Sequence, residues 1–187
     1  MAPGLLPILS EATNMEATEV TTQMTICGGP IPDLEVPMIT TMVTCLGIEH
    51  GKLNYGIVQL ASAATRLATD PDSVTANQRA LQVWDQIRHD LWSHLQIEEE
   101  LVFSWGAAHH AIADTLLDTL RSERQEMRKL MTALRTLSSG AERELQTAED
   151  RANFAETLLA LARMLDSHVE RHDGEVLPSI LRALFHK

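Results

Sequence analysis

Six side chains stand where an apolar helix face would be expected to carry leucine. On a wheel of about 100° per residue, His50 falls on the stripe between Leu46 and Leu53. Glu98 is nearly centred on its stripe, and His94 flanks it one turn away. His109 is central on the following segment, and His168 and His172 share the face of Leu161 and Leu165. A buried carboxylate without a partner costs several kcal/mol, or is driven to bind a proton. Taken singly, each imidazole reads as a hydrogen-bonded core histidine, and Glu98 as half of an ion pair. Taken together they form a metal-ligand set of imidazole and carboxylate without thiolate, suited to iron, zinc, copper or manganese. His94 and Glu98 are four apart, one helical turn, so both can reach one point; His168 and His172 repeat that spacing.

The elements that must position these residues are helices. The first is expected from Thr40 or Thr41 to about Thr69, with Leu46, Leu53, Ile57, Leu60, Ala64 and Leu67 at helical spacing. Asp70-Pro71-Asp72-Ser73 stops it, and Thr75 with Gln78 has capping-box spacing for the second helix, which runs to Gly106. A third helix is expected over 107–138, ended by Ser138-Ser139-Gly140. Ser139 with Glu142 is spaced to cap the fourth, which reaches Gly174 and Pro178, with a short helical tail over 178–186. Four long helices with short connections predict an all-α, up-down-up-down antiparallel four-helix bundle over 38–187. Residues 1–37 hold five prolines and a Gly28-Gly29 pair, and read as an irregular N-terminal lead-in.

Composition agrees and narrows the function. Aromatic residues are 4% of the 187, so aliphatic side chains must fill the core, which favours helices over strands. The net charge of −11 argues against nucleic acid and anionic membranes as partners. Cys27 and Cys45 form neither a disulfide framework nor a CxxC motif, which suits reduced thiols in the cytoplasm. The N-terminus lacks the basic-then-apolar pattern of a secretory signal.

Depth along the bundle matters as much as face. Folding the chain about 72–73 brings His50 level with residues near 95. Folding about Gly106 carries His94 and Glu98 to third-helix positions near 114–118, and folding about 139–140 carries His168 and His172 to 107–111. The expectation is one polar slab fed by all four helices, with His109 as the third-helix ligand and His110 as second choice. Asp173, Glu99 and Glu175 are weaker candidates for a bridging carboxylate. Glu123 faces inward but lies about 14 residues from His109, roughly 21 Å along the axis, and reads as a buried pair with Arg88 or Arg124. His89 reads as a solvated histidine, His186 as incidental, and Tyr55 as boundary packing.

The stretch His94-Leu95-Gln96-Ile97-Glu98-Glu99-Glu100-Leu101-Val102-Phe103 resembles the H-x-x-x-E-E-E-x-L-F motif of the hemerythrin-like, HHE cation-binding family. His168, His172-Asp173 and Glu175-Val176-Leu177-Pro178 resemble its companion motif, and Ile48-Glu49-His50 its first-helix histidine. The resemblance spans about residues 40–180. It implies a non-haem centre of two iron ions, carboxylate- and oxo- or hydroxo-bridged, that binds or senses O2, nitric oxide or peroxide. On that reading the metal ligands are His50, His94, Glu98, His168, His172 and Asp173, with Asp173 able to bridge, and the depth argument adds His109. This chain departs from the family in two places: His172 stands where a carboxylate is common, and Arg124 where many bacterial members have histidine. A redox enzyme turning over peroxide or nitric oxide, and a protein for iron handling or repair of iron centres, are the alternatives. A ferritin-like oxidase is excluded because no Glu-x-x-His pair occurs on the inward faces.

Overall fold

The computed structural model describes residues 35–139, 145 and 147–185. The chain forms α1 (Glu35–Thr69), α2 (Val74–Glu98), a π-helical continuation (Glu99–Gly106), α3 (Asp114–Leu137), α4 (Ala148–Arg171), a second π-helical segment (His172–Val176) and α5 (Leu177–Phe185). α1 lies between α2 and α4 and packs extensively on both, and α3 closes the bundle mainly against α4. This is the expected all-α four-helix bundle, and no strand occurs among the described residues.

The ends of the helices differ from the sequence reading for local reasons. α1 begins at Glu35, not Thr40, so residues 35–37 are its first turn and not lead-in. Pro37 is accommodated there because first-turn amides lack helical acceptors anyway. α2 is capped by Ser73, whose hydroxyl accepts from the Ala76 amide at 3.3 Å, not by Thr75. α4 opens on a reciprocal Thr147–Asp150 capping box, in which Asp150 N–H donates to Thr147 Oγ1 at 3.0 Å and Thr147 N–H to Asp150 Oδ2 at 3.1 Å. Gly140, Glu142, Cys27 and His186, like most of the lead-in, lie outside the described residues.

The helix leaving α2 does not turn at Gly106. It continues into a bend near 109–113, where His110 adopts φ 51, a region histidine enters more readily than most residues. Gly106 lies inside this packing, since a Cβ there would stand 2.8 Å from Ile112 Cδ1 and 3.3 Å from the Leu101 carbonyl. α3 therefore starts at Asp114.

Two apolar cores result. One contains Leu53, Leu60, Leu91, Leu95, Met127, Leu165 and Val169. The other contains Leu46, Leu101, Val102, Leu120, Val176 and Ile180. Along each helical run the seam between them falls on a polar residue: His50 on α1, Glu98 on α2, Glu123 and Arg124 on α3, and His172 at the start of the π-helical segment after α4. A bundle this size could join the two cores with leucine, so a polar layer through its middle calls for compensating chemistry.

Candidate metal centre

Four imidazoles and one carboxylate meet in that layer. His94, Glu98, His168 and His172 are fully buried, and His50 is 2% exposed. Ring centroids are 4.3 Å apart for His168–His172, 5.1 Å for His50–His94 and 5.4 Å for His94–His168. One donor atom from each of His94, Glu98 and His168 falls within 4.8 Å of the others. His172 Nε2 lies 3.2 Å from Glu98 Oε1, and His94 Nε2 lies 3.2 Å from His168 Nε2.

Outer carboxylates orient two of the rings. Glu123 Oε2 accepts from His168 Nδ1 at 3.1 Å and is itself paired with Arg171. Asp173 Oδ1 accepts from His50 Nδ1 at 2.6 Å, from a half-exposed position. A carboxylate behind Nδ1 fixes the tautomer that leaves Nε2 as a lone pair. Other atoms of the cluster are left bare. His50 Nε2, His94 Nδ1, both nitrogens of His172 and both oxygens of Glu98 have no hydrogen-bond partner. With the His168 Nδ1 proton directed at Glu123, the close His94–His168 contact sets two ring nitrogens against each other with at most one proton between them.

Electrostatics favours neutral imidazoles. Burial holds His94 down to about 2, with the neighbouring imidazoles adding to the effect. Burial, then His50, holds His172 down to about 3. Burial also lowers His50 and His168 despite the opposing pull of Asp173 and Glu123. Burial raises the Glu98 carboxyl against the His168 and Arg124 charges. Burial pushes Glu123 upward too, but His168 and Arg171 together outweigh it and hold it below the usual carboxylate range. Neutral imidazoles and a carboxylate gathered in one layer, with atoms of His50, His94, Glu98 and His172 short of a partner, fit a metal ion, which would take up the orphaned lone pairs.

The remaining candidates sit elsewhere. His109 precedes α3, stacks on Trp105 at 4.8 Å and faces Glu35 at 3.6 Å, and the contacts of the imidazole cluster do not include it. His110 is exposed in the bend. Glu99 pairs with Arg124, and Glu175 is exposed. Asp173 stands behind the His50 ring. Glu123 is paired with Arg171 and His168, not with Arg88 or Arg124, so it supports the centre that the sequence reading placed out of its reach. Arg124 is the other residue whose place was missed. It is 8% exposed, donates to the Leu95 carbonyl at 3.1 Å and lies over the Phe103 ring.

Comparison with curated proteins and with solved structures returned no match. Comparison with protein families matched residues 46–180 to the hemerythrin HHE cation binding domain. That span covers α1 from Leu46 through the start of α5 and holds every member of the cluster, so the chain belongs to the hemerythrin HHE cation-binding domain family.

Proposed function

We propose that the layer is a non-haem iron site that binds or senses a small ligand: O2, nitric oxide or peroxide. The observation that carries this reading is the set of fully buried imidazole and carboxylate atoms left without partners. His50, His94, Glu98, His168 and His172 are the residues that would hold the metal. Mixed imidazole and carboxylate donors without thiolate suit iron, which when bound supplies an open coordination position and a redox-active centre. The chain's own residues set its surroundings. Glu123 and Asp173 hold two imidazoles in the tautomer that faces inward. The apolar cores above and below keep bulk water from the layer, which suits a diatomic or peroxide-sized ligand. Among the described residues no helix is long and apolar enough to cross a membrane.

The test is metal content per chain, with an absorption spectrum of the reduced protein before and after O2. Iron bound in fixed proportion, with an oxygen-dependent charge-transfer band, is expected. His94→Ala and Glu98→Ala should each abolish stoichiometric binding with helix content retained, whereas His89→Ala, on the exposed face of α2, should leave it unchanged. Unaltered metal content in both site variants would refute the assignment.

A further inference from the structure

We infer that the centre holds one metal ion per chain, coordinated by His94, Glu98 and His168, with the Arg124 guanidinium as a fixed cation beside it. The inference rests on the iron reading above and departs from the two ions that the sequence resemblance implies. Three donor atoms converge within 4.8 Å, and they are two imidazoles and one carboxylate. That set has the two-histidine, one-carboxylate composition of mononuclear non-haem Fe(II) sites that keep open positions.

A second ion would find imidazole nitrogens but no second inward carboxylate. Of the nearby carboxylates only Glu98 faces the cluster with its oxygens free. Asp173 and Glu123 are taken up by the outward nitrogens of His50 and His168, and Glu99 by Arg124. α3 adds no imidazole or free carboxylate to the cluster. At that level it presents Arg124, which donates to the Leu95 carbonyl and pairs with Glu99, the residues next to His94 and Glu98. Two divalent ions would put four positive charges beside one inward carboxylate, in an interior where uncompensated charge is costly. One ion leaves His50 and His172 as flanking imidazoles able to complete the coordination or meet the incoming ligand.

The experiment is anaerobic reconstitution of the full chain with Fe(II), removal of free metal, and iron determination per chain, followed by electron paramagnetic resonance of the oxidised form. One iron per chain and the signal of an isolated high-spin ferric ion are expected. Asp173→Asn should bind more weakly and still reach one ion at saturating Fe(II), since Asp173 supports a ring and bridges nothing. Arg124→Met should also retain it but shift the reduction potential negative, and Arg124→Lys should restore the potential, because a neighbouring cation favours the ferrous state. Two irons per chain with a spin-coupled, resonance-silent ferric pair would overturn the inference and leave the iron reading standing. No iron bound by the wild-type chain would overturn the iron reading, and this inference with it.

Discussion

A side chain that serves the metal should burden the metal-free fold, and Glu98 is where that burden is largest. It is fully buried, both carboxylate oxygens lack hydrogen-bond partners, and burial raises its pKa. The nearest imidazole, His172 Nε2 at 3.2 Å, is held near a pKa of about 3 and is no cation at neutral pH. An unsatisfied buried polar group costs about 1–3 kcal/mol, and replacing buried charged groups by apolar ones of similar volume is often stabilising by ~1–4 kcal/mol. Glu98→Met keeps the length of the side chain and removes the polar oxygens. Metal-free Glu98→Met should therefore exceed metal-free wild type by about 1–3 kcal/mol. At ~2–4 °C per kcal/mol for a chain of this length, the rise in Tm is about 2–12 °C. With Fe(II) the order should reverse. Wild type gains about 4.1 kcal/mol at a thousandfold excess over Kd, and the variant gains nothing. The assay is thermal unfolding followed by circular dichroism, with and without metal. Metal-free Glu98→Met melting at or below wild type, with its helix content intact, would refute the claim that Glu98 is kept for binding at the fold's expense.

Three further outcomes follow from the same geometry. Glu123→Gln should weaken metal binding ~10–100-fold, the usual effect of losing an outer partner of a ligating histidine, while Glu126→Gln, at an exposed residue paired with Lys129 at 2.5 Å, should not; competition against a chromophoric chelator reads both. The metal-free chain should lose stability as pH falls through 6.5, because the unfolded chain takes up protons that His94 and His172 refuse down to about 2 and 3; the slope approaches ~1.4 kcal/mol per pH unit for each. Glu98, with its raised pKa, works in the opposite direction above 4.5 but is a single group, so a flat profile of urea midpoints from pH 7.5 to 5 would contradict neutral burial. Gly106→Ala should destabilise by about 1–3 kcal/mol, the usual range for overpacking, read from the same urea midpoints, since the added methyl meets Ile112 and the Leu101 carbonyl.

The polar layer was legible on α1, α2 and α4 because unbroken α-helical spacing runs through His50, through His94 and Glu98, and up to His168 and His172. On the third helix it was not, and the reason is local. Gly106 reads as a stop, yet the chain continues helically past it and bends near 109–113. Folding the chain there carries the level of His94 and Glu98 to positions near 124–128, the level at which Glu123 meets His168 and Arg124 meets Leu95. A fold point misplaced by a few residues thus moved the layer along α3 and assigned it to His109, a residue of the bend. The caps were misplaced for a similar reason. Ser73 and Thr147 compete with equally good candidates nearby, and tertiary packing chooses among them.

The π-helical segments explain why no wheel of constant pitch could have read the whole site. His168, His172, Val176, Ile180 and Leu184 are all buried at steps of four. In a regular α-helix each such step over-rotates by about 40°, so the last of them would point well away from the first. The chain switches to π geometry at His172 and returns to α at Leu177. Its wider turns, bonded i to i+5, take up part of the excess and keep the stripe closer to the inward face. The other π segment begins one residue after Glu98. Both irregular turns therefore abut the polar layer, where such segments are often found at functional sites. Helical spacing in the sequence can report that a polar residue lies on the inward face. It cannot distinguish Glu98, whose oxygens face the cluster without partners, from Glu123, which stands behind a histidine. That distinction is set by where each helix departs from regular pitch and which nitrogen of each imidazole is already engaged.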